Sequence, residues 1–311
     1  MNYSKQLVDG ALFTVCYIVL LLVTIFVPVL GLISMLVLAV PFIIYAAKYD
    51  WKPSLLMFVA AFLLSILIAT IYAAPAAVLA GLGGIVIGSS IHRELAPYET
   101  WARGTIGYAV GIVFSLLFIF YVLDINLLDE FSQQTDELLI QMKDMVEQFG
   151  MGQEVEEEFS IIEQQIELFK QLVPVFIVVI AILLAILNQW ISYKVINKID
   201  KQKLRFPKFR NLRFPVSILW IYLLAMIITL FQEEPNGIYI ALQNVIMLTG
   251  LLMAIQGLSF IFFISHRKNI SIAIPIVVMV LTIFFAPFLL PLVRILGIID
   301  LGFGLRDRMV K

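Results

Sequence analysis

Apolar residues fill this chain in long blocks, and short clusters of charged or turn-forming residues separate them. A helix crossing a bilayer needs about 20 mostly apolar residues. Stretches of that kind occupy 10–28, 31–47, 53–72, 75–92, 104–124, 172–196, 214–232, 238–265 and 271–296, which predicts nine spans. Residues 10–47 run almost unbroken, but they are too long for one span, and Pro28 with Gly31 supplies a turn. Between spans five and six the pattern changes. Leu128, Phe131, Thr135, Leu138, Met142, Met145 and Phe149 recur there at alternating steps of three and four among polar residues. Gly150 and Gly152 interrupt the rhythm, and Val155, Phe159, Ile162, Ile166, Phe169 and Val173 resume it. Two heptad stripes parted by glycines predict an antiparallel helical hairpin, or a cap packed over the bundle. The alternative is a pair of helices lying flat on the bilayer, although such helices usually carry Lys and Arg on the polar face.

Composition fixes the solvent. Of 311 residues 62% are hydrophobic and 14% charged, against about 25% charged in soluble domains. The expected fold class is therefore an all-α polytopic membrane protein. Cys16 is the only cysteine, which excludes a disulfide within the chain and a cysteine metal site. His92 and His266 each precede an arginine and read as membrane-edge residues. Lys5 leads into a long apolar run without a small-residue cleavage pattern, so the first helix reads as retained.

Charge then orients the spans. Lys48 and Lys52, Arg93 and Arg103, and Arg267 and Lys268 fall in alternate loops, and eight basic residues from Lys194 to Arg213 fall between spans six and seven. The loop Tyr72–Pro75 and the loop at Glu233 and Glu234 lack basic residues. Residues 124–170 hold 13 of the 22 acids against Lys143 and Lys170. Lys and Arg concentrate on the cytoplasmic side, so the N-terminus is expected in the cytoplasm and the acidic segment outside. An odd number of spans would put the C-terminal LGFGLRDRMVK outside too. Tyr49, Trp51, Trp101, Trp190 and Tyr193 fall at the expected cytoplasmic edge, where interfacial aromatics belong.

Intramembrane charge is a default pointer to function, and the predicted spans carry almost none. Arg294 comes nearest to a span centre and is assigned to a span end. A proton relay or ion pump lacks its parts. The polar groups inside are Ser65, Thr70, Asn188, Gln189, Gln243, Asn244 and Gln256. Buried amides in hydrocarbon must find partners. They serve either as interhelical glue or as the lining of a pocket for a neutral or weakly polar ligand. Gly81, Gly84 and Gly88 lie on nearly one face of span four and favour close helix packing. No nucleophile–base pair, nucleotide motif or metal-ligand cluster is present, and Glu154, Glu156, Glu157 and Glu158 read as a solvated helix face. No catalytic residue, metal or cofactor is assigned, and an enzyme is not expected.

Two sets of stretches resemble known families. PFIIYAAKYDWKPSLLMFVAAFLLS, residues 41–65, resembles the junction of spans two and three in the substrate-binding S components of energy-coupling-factor (ECF) vitamin transporters. NQWISYKVINKI, LRFPKFRNLRFPVSILW, NVIMLTGLLMAIQGLSF and GIIDLGFGLRDR resemble the YybS-like family of bacterial membrane proteins, typical of Bacillus-like Firmicutes and regarded as related to S components. The resemblance covers essentially the whole chain. It implies an S-component-like six-helix core with three helices appended, in a bacterial plasma membrane. Residues 1–124 would supply five core helices, 125–171 the outer hairpin, 172–200 the sixth helix, 201–213 a basic linker and 214–311 the added helices and tail. A substrate would enter under the outer loops, with Tyr72, Tyr121, Asn126, Asn188, Asn244 and Gln256 as candidate contacts. S components dock on their transport module through small residues four apart on the first helix. Here those positions read Gly10 and Thr14, or Ala11 and Val15, so the second small residue is lost.

The stretch LRFPKFRNLRFP, residues 204–215, repeats Arg-Phe-Pro. The positive-inside bias accounts for its charge, so nucleic acid is not an expected partner. Lys201, Lys203, Arg205, Lys208, Arg210 and Arg213 read as a topology-fixing linker at the lipid headgroups, with Phe206, Phe209 and Phe214 in the headgroup boundary. A docking site for a cytoplasmic protein is the alternative. Two functions stand out, an uptake-related substrate-binding membrane protein and a non-transporting scaffold that recruits partners through the acidic hairpin and the basic loop.

Overall fold

The computed structural model describes residues 3–148, 156–232 and 236–310, and no strand occurs among them. The helices in chain order are α1 Tyr3–Phe26, α2 Pro28–Val37, α3 Val40–Tyr49, α4 Trp51–Ala69, α5 Ala74–His92, α6 Pro97–Val122, α7 Leu127–Gln148, α8 Glu156–Gln171, α9 Val173–Asp200, α10 Ser217–Thr229, α11 Gly237–Arg267, α12 Ala273–Phe284, α13 Ala286–Phe303 and the short α14 Leu305–Val310. Among the described residues eight helices, counting α2 with α3 as one, are long and apolar enough to cross a membrane, while α10 and α12 are shorter. The chain is an all-α polytopic membrane protein. Contacts divide it into two units: Met1–Lys170 with Phe176–Phe206, and Gln171–Val175 with Pro207–Lys311.

In the first unit α5 lies between α3 and α6. A bilayer offers no hydrophobic drive for helices to associate, so close packing must supply the attraction. A Cβ on Gly88 would stand 2.5 Å from both the Ala46 Cβ and the Ile43 carbonyl of α3, and one on Gly107 3.1 Å from the Leu82 carbonyl of α5. Tyr17, Phe42, Ile43, Ile87, Tyr108 and Ile196 are the largest apolar side chains fully enclosed by this packing. Charged residues gather at one end. Asp9 pairs with Lys48 at 2.5 Å and Asp50 with Arg93 at 3.7 Å. Gln189 Nε2 donates to the Pro97 carbonyl at 3.0 Å, which brings the basic end of α9 to the start of α6. The loops at Pro28 and Ile71–Ala73 lie at the far ends of their helices.

The acidic segment forms the antiparallel pair α7 and α8. Phe131 stacks on Phe169 with centroids 5.7 Å apart, and Lys143 bonds Glu163 at 2.8 Å with its ammonium 5.5 Å above the Phe159 ring. The expected seam is rotated on α7. Leu139 is buried, whereas Leu138, Met142 and Met145 stand about half exposed. Lys143 occupies the seam because its ammonium finds both a carboxylate and an aromatic face there, and the methionines turn outward. On α8 Phe159 is buried and Ile162 and Ile166 half-buried, as the stripe predicts. Phe149, the Gly150–Gly152 break, Glu154 and Val155, and the Glu233–Glu234 loop, lie outside the described residues.

In the second unit α11 and α13 cross so closely at Gly257 and Gly297 that a Cβ on either would collide with the other's backbone. Their directions follow from three contacts. Arg294 rests on Gly250, Asp300 meets Gln256, and Arg306 meets Ser259. The numbers rise together, so α13 runs parallel to α11. Two predicted spans are corrected here: the seventh, 214–232, forms only the 13-residue α10. The predicted ninth span, 271–296, breaks at Phe285, and the 12 residues of α12 rise only about 18 Å against a hydrocarbon core of about 30 Å. Ile270 and Ile272, before α12, and Arg306, after α13, both reach the loop at Lys208–Leu212. The segment therefore leaves that end and returns to it, and the C-terminal tail lies against the basic loop at Arg210–Leu212.

Candidate functional site

The turn between α2 and α3, at Leu38 and Ala39, interrupts a span in its middle. Pro41 in the first turn of α3 has no N–H to continue the helical ladder. Asn188 of α9 responds to this break: its Nδ2 donates to the Leu36 carbonyl at 2.9 Å and to its own Leu184 carbonyl at 3.0 Å. A cavity of about 260 Å³ opens beside the turn, lined by apolar residues such as Met35, Ala80, Ile112 and Leu184. Its two polar lining residues are Tyr108 and Asn188. Both are nearly inaccessible, at 2% and 1% exposure. The Tyr108 hydroxyl and Asn188 Oδ1 have no hydrogen-bond partner among the described residues. Buried polar atoms in native structures are nearly always satisfied, and the two residues that carry these unpartnered atoms both line one cavity, which makes it the candidate site.

The other candidates do not converge on this cavity. Tyr72 and Tyr121 are 68% and 76% exposed. Asn126 caps α7, its Oδ1 accepting from Leu128 N and its Nδ2 donating to Asp129. Asn244 and Gln256 belong to the second unit, where Asn244 Nδ2 bonds the Gln171 carbonyl at 2.8 Å. Tyr108 was not among the candidates. A signal for it exists in Gly104, Gly107 and Gly111, which give α6 a bare face where its ring enters, and on Gly83, whose Cβ would meet that ring at 2.5 Å.

Gln256 joins a second buried constellation. Asp300 Oδ2 accepts from Gln256 Nε2 at 2.5 Å and from Arg306 Nε at 2.8 Å. The Arg306 Nη1 donates to the Arg210 and Leu212 carbonyls, and its Nη2 to the Ser259 hydroxyl. Ser259 in turn donates to the Phe209 and Leu212 carbonyls, and Gln256 Oε1 accepts from Phe214 N. The Arg306 guanidinium also lies 5.4 Å from the Phe263 ring centre. Backbone groups of residues 209–214 are thus clamped from α11 and α14. Burial pulls the Arg306 guanidinium below its usual range, and Asp300 opposes that pull. Outside the membrane segments Arg213 grips Asp307 through two bonds of 2.8 and 2.7 Å. That contact holds the Asp307 carboxyl below its usual range and raises the Arg213 guanidinium.

The basic loop is consequently no free tether. Lys201, Lys203 and Arg205 belong to the first unit, where Asn197 exchanges two bonds with Leu204 and Phe206 packs 5.4 Å from Tyr193. Lys208, Arg210 and Arg213 belong to the second, with Phe209 edge-on to Phe262 and Phe214 against the Leu219, Met253 and Leu301 core. Of the three phenylalanines expected among lipid headgroups, Phe206 and Phe214 are half-buried against protein, whereas Phe209 stays 37% exposed beside Phe262.

A family model described as "Predicted membrane protein (DUF2232)" matches residues 15–301. The chain is 26% identical over 310 residues to a protein of Bacillus subtilis (strain 168) named "Uncharacterized protein YybS", covering 99% of this chain and 100% of that one. No solved structure matches the chain.

Proposed function

The chain belongs to the family of predicted membrane proteins DUF2232, and on that premise we propose that it is a bacterial plasma-membrane protein that binds a small, mostly apolar molecule beside Tyr108 and Asn188. The observation that carries the reading is that Tyr108 and Asn188, each bearing a buried oxygen without a partner, both line an otherwise apolar cavity. Ligand sites are commonly built this way, from apolar walls and a few placed polar groups. At about 260 Å³ the cavity is compact, and the ligand is accordingly smaller than most drug-sized molecules. The S-component resemblance adds that the ligand arrives from outside, with the acidic hairpin over the entrance, the basic ends in the cytoplasm, and uptake as the purpose. Docking on an ECF-type module would fall to Ala11 and Val15. Gly10 is turned against Tyr45, and Thr14 bonds the Gly10 carbonyl at 2.8 Å.

A metabolite and vitamin panel screened by thermal unfolding tests the reading. At least one neutral or weakly polar compound should stabilise the wild type and leave Ile112→Phe, which fills the cavity, unaffected. A panel without any response, or an equal response in the filled variant, would defeat it. One observation favours the scaffold reading instead, the outward row of Leu138, Met142 and Met145 on the acidic hairpin. In that case deletion of residues 127–170 would abolish partner capture while membrane insertion persists.

A further inference from the structure

Arg294 is the ninth of the 18 residues of α13, not a residue at a span end. Twelve residues separate it from Arg306, which lies on the loop at Arg210–Leu212. From Arg294 to Phe303, the last residue of α13, the helix rises about 14 Å at roughly 1.5 Å per residue, close to half of a hydrocarbon core about 30 Å thick. The guanidinium lies flat on α11, where a Cβ at Gly250 would stand 2.9 Å from its Cζ and 3.0 Å from its Nε. Its Nε is buried without a hydrogen-bond partner. No ion pair among the described residues includes Arg294. The adjacent hydroxyl, Thr249, is spent on the Val245 carbonyl at 2.6 Å. Arg306, the other arginine against α11, shows what a satisfied guanidinium looks like in this unit, with a carboxylate, two carbonyls and a hydroxyl.

An arginine cannot shed its charge, and an unmatched charge in hydrocarbon is costly. We propose that Arg294 and Gly250 form an intramembrane binding site for an amphiphile carrying a single oxyanion, a carboxylate or phosphate, whose apolar tail lies in the bilayer. The planar guanidinium fork matches both oxyanions in bidentate geometry. Ile295, next to Arg294, is 51% exposed, and Pro291, one turn before it, is also exposed, so the tail finds an apolar helix face beside the head group's partner. Gly250 is the residue that makes room for the guanidinium to lie against the helix. This site belongs to the second unit and shares no residue with the cavity at Tyr108.

The test uses the full chain in an uncharged detergent, with dodecyl phosphate, decanoate, decanol and inorganic phosphate as probes, read by thermal unfolding and native mass spectrometry. Dodecyl phosphate or decanoate should raise the unfolding midpoint and be retained, and decanol, which has the tail without the charge, should do neither. Arg294→Gln should weaken that binding by roughly thirtyfold, as loss of a charge-assisted partner does. Arg294→Lys keeps the charge and loses the fork, and it guards against a folding failure of the first variant. Gly250→Ala should also weaken the binding by displacing the guanidinium. The proposal is overturned if Arg294→Gln or Arg294→Lys retains the amphiphiles as well as the wild type, if decanol binds equally, or if inorganic phosphate alone gives the stabilisation.

Discussion

Tyr108 carries a hydroxyl that costs the folded chain stability, since burial without a partner is unfavourable by about 1–3 kcal/mol and its ring alone would fill the packing around Gly83. Tyr108→Phe should therefore leave the ligand-free protein as stable or up to about 1 kcal/mol more stable, measured by unfolding in detergent. A structural role for the hydroxyl would appear as a loss instead. Arg306 presents the opposite case. Removing it by Arg306→Ala leaves Asp300 uncompensated and should cost about 3–5 kcal/mol, with amide hydrogen exchange rising across residues 209–214. Arg306→Lys should restore little, because an ammonium cannot reach a carboxylate and two carbonyls at once. Asp307 adds a pH dependence. Its carboxyl is held below its usual range by Arg213, so the contact contributes above the unfolded carboxylate range and is lost as pH falls through the lowered value. Acidification should loosen the tail, and Asp307→Asn should show that looseness already at neutral pH with a smaller further change.

At the level of elements, α11 and α13 depend on two glycines. Gly257→Leu should force the helices apart and destabilise the second unit by about 3 kcal/mol or more, and a neutral outcome in an unfolding assay would contradict the crossing described here. The first six spans were legible because each is an apolar run ended by Pro, Gly or charge. The α12–α13 pair was not, since Phe284, Phe285 and Ala286 carry the backbone through its turn without any change in polarity. Arg294 was assigned to an end for the same reason, as the predicted span stopped at 296 while the helix runs to Phe303. The hairpin's existence was readable from its heptads, but not the rotation of α7, which depends on where Lys143 meets Glu163 and Phe159.

For the molecule as a whole, charge alternation sets the expectation of which loops share a side, and the expected side of the C-terminus hung on a span count that the α12–α13 turn changes. A direct check uses a Cys16→Ser background with Lys208→Cys or Arg308→Cys and a membrane-impermeant maleimide on intact cells. Both sites should behave alike, because Arg213 and Arg306 tie the tail to the loop; labelling of one alone would refute the return of α13. Of the candidate site only Asn188 was recognisable in advance, as an amide in an apolar helix. Tyr108 looked like any other tyrosine until the cavity gave it a neighbourhood. The central claim, that this cavity holds a small molecule, is tested most directly by native mass spectrometry of gently purified protein. The account predicts a discrete mass bound to the wild type at one copy per chain and largely lost from Tyr108→Phe. Wild-type protein that flies empty, or a ligand held equally by Tyr108→Phe, would contradict it.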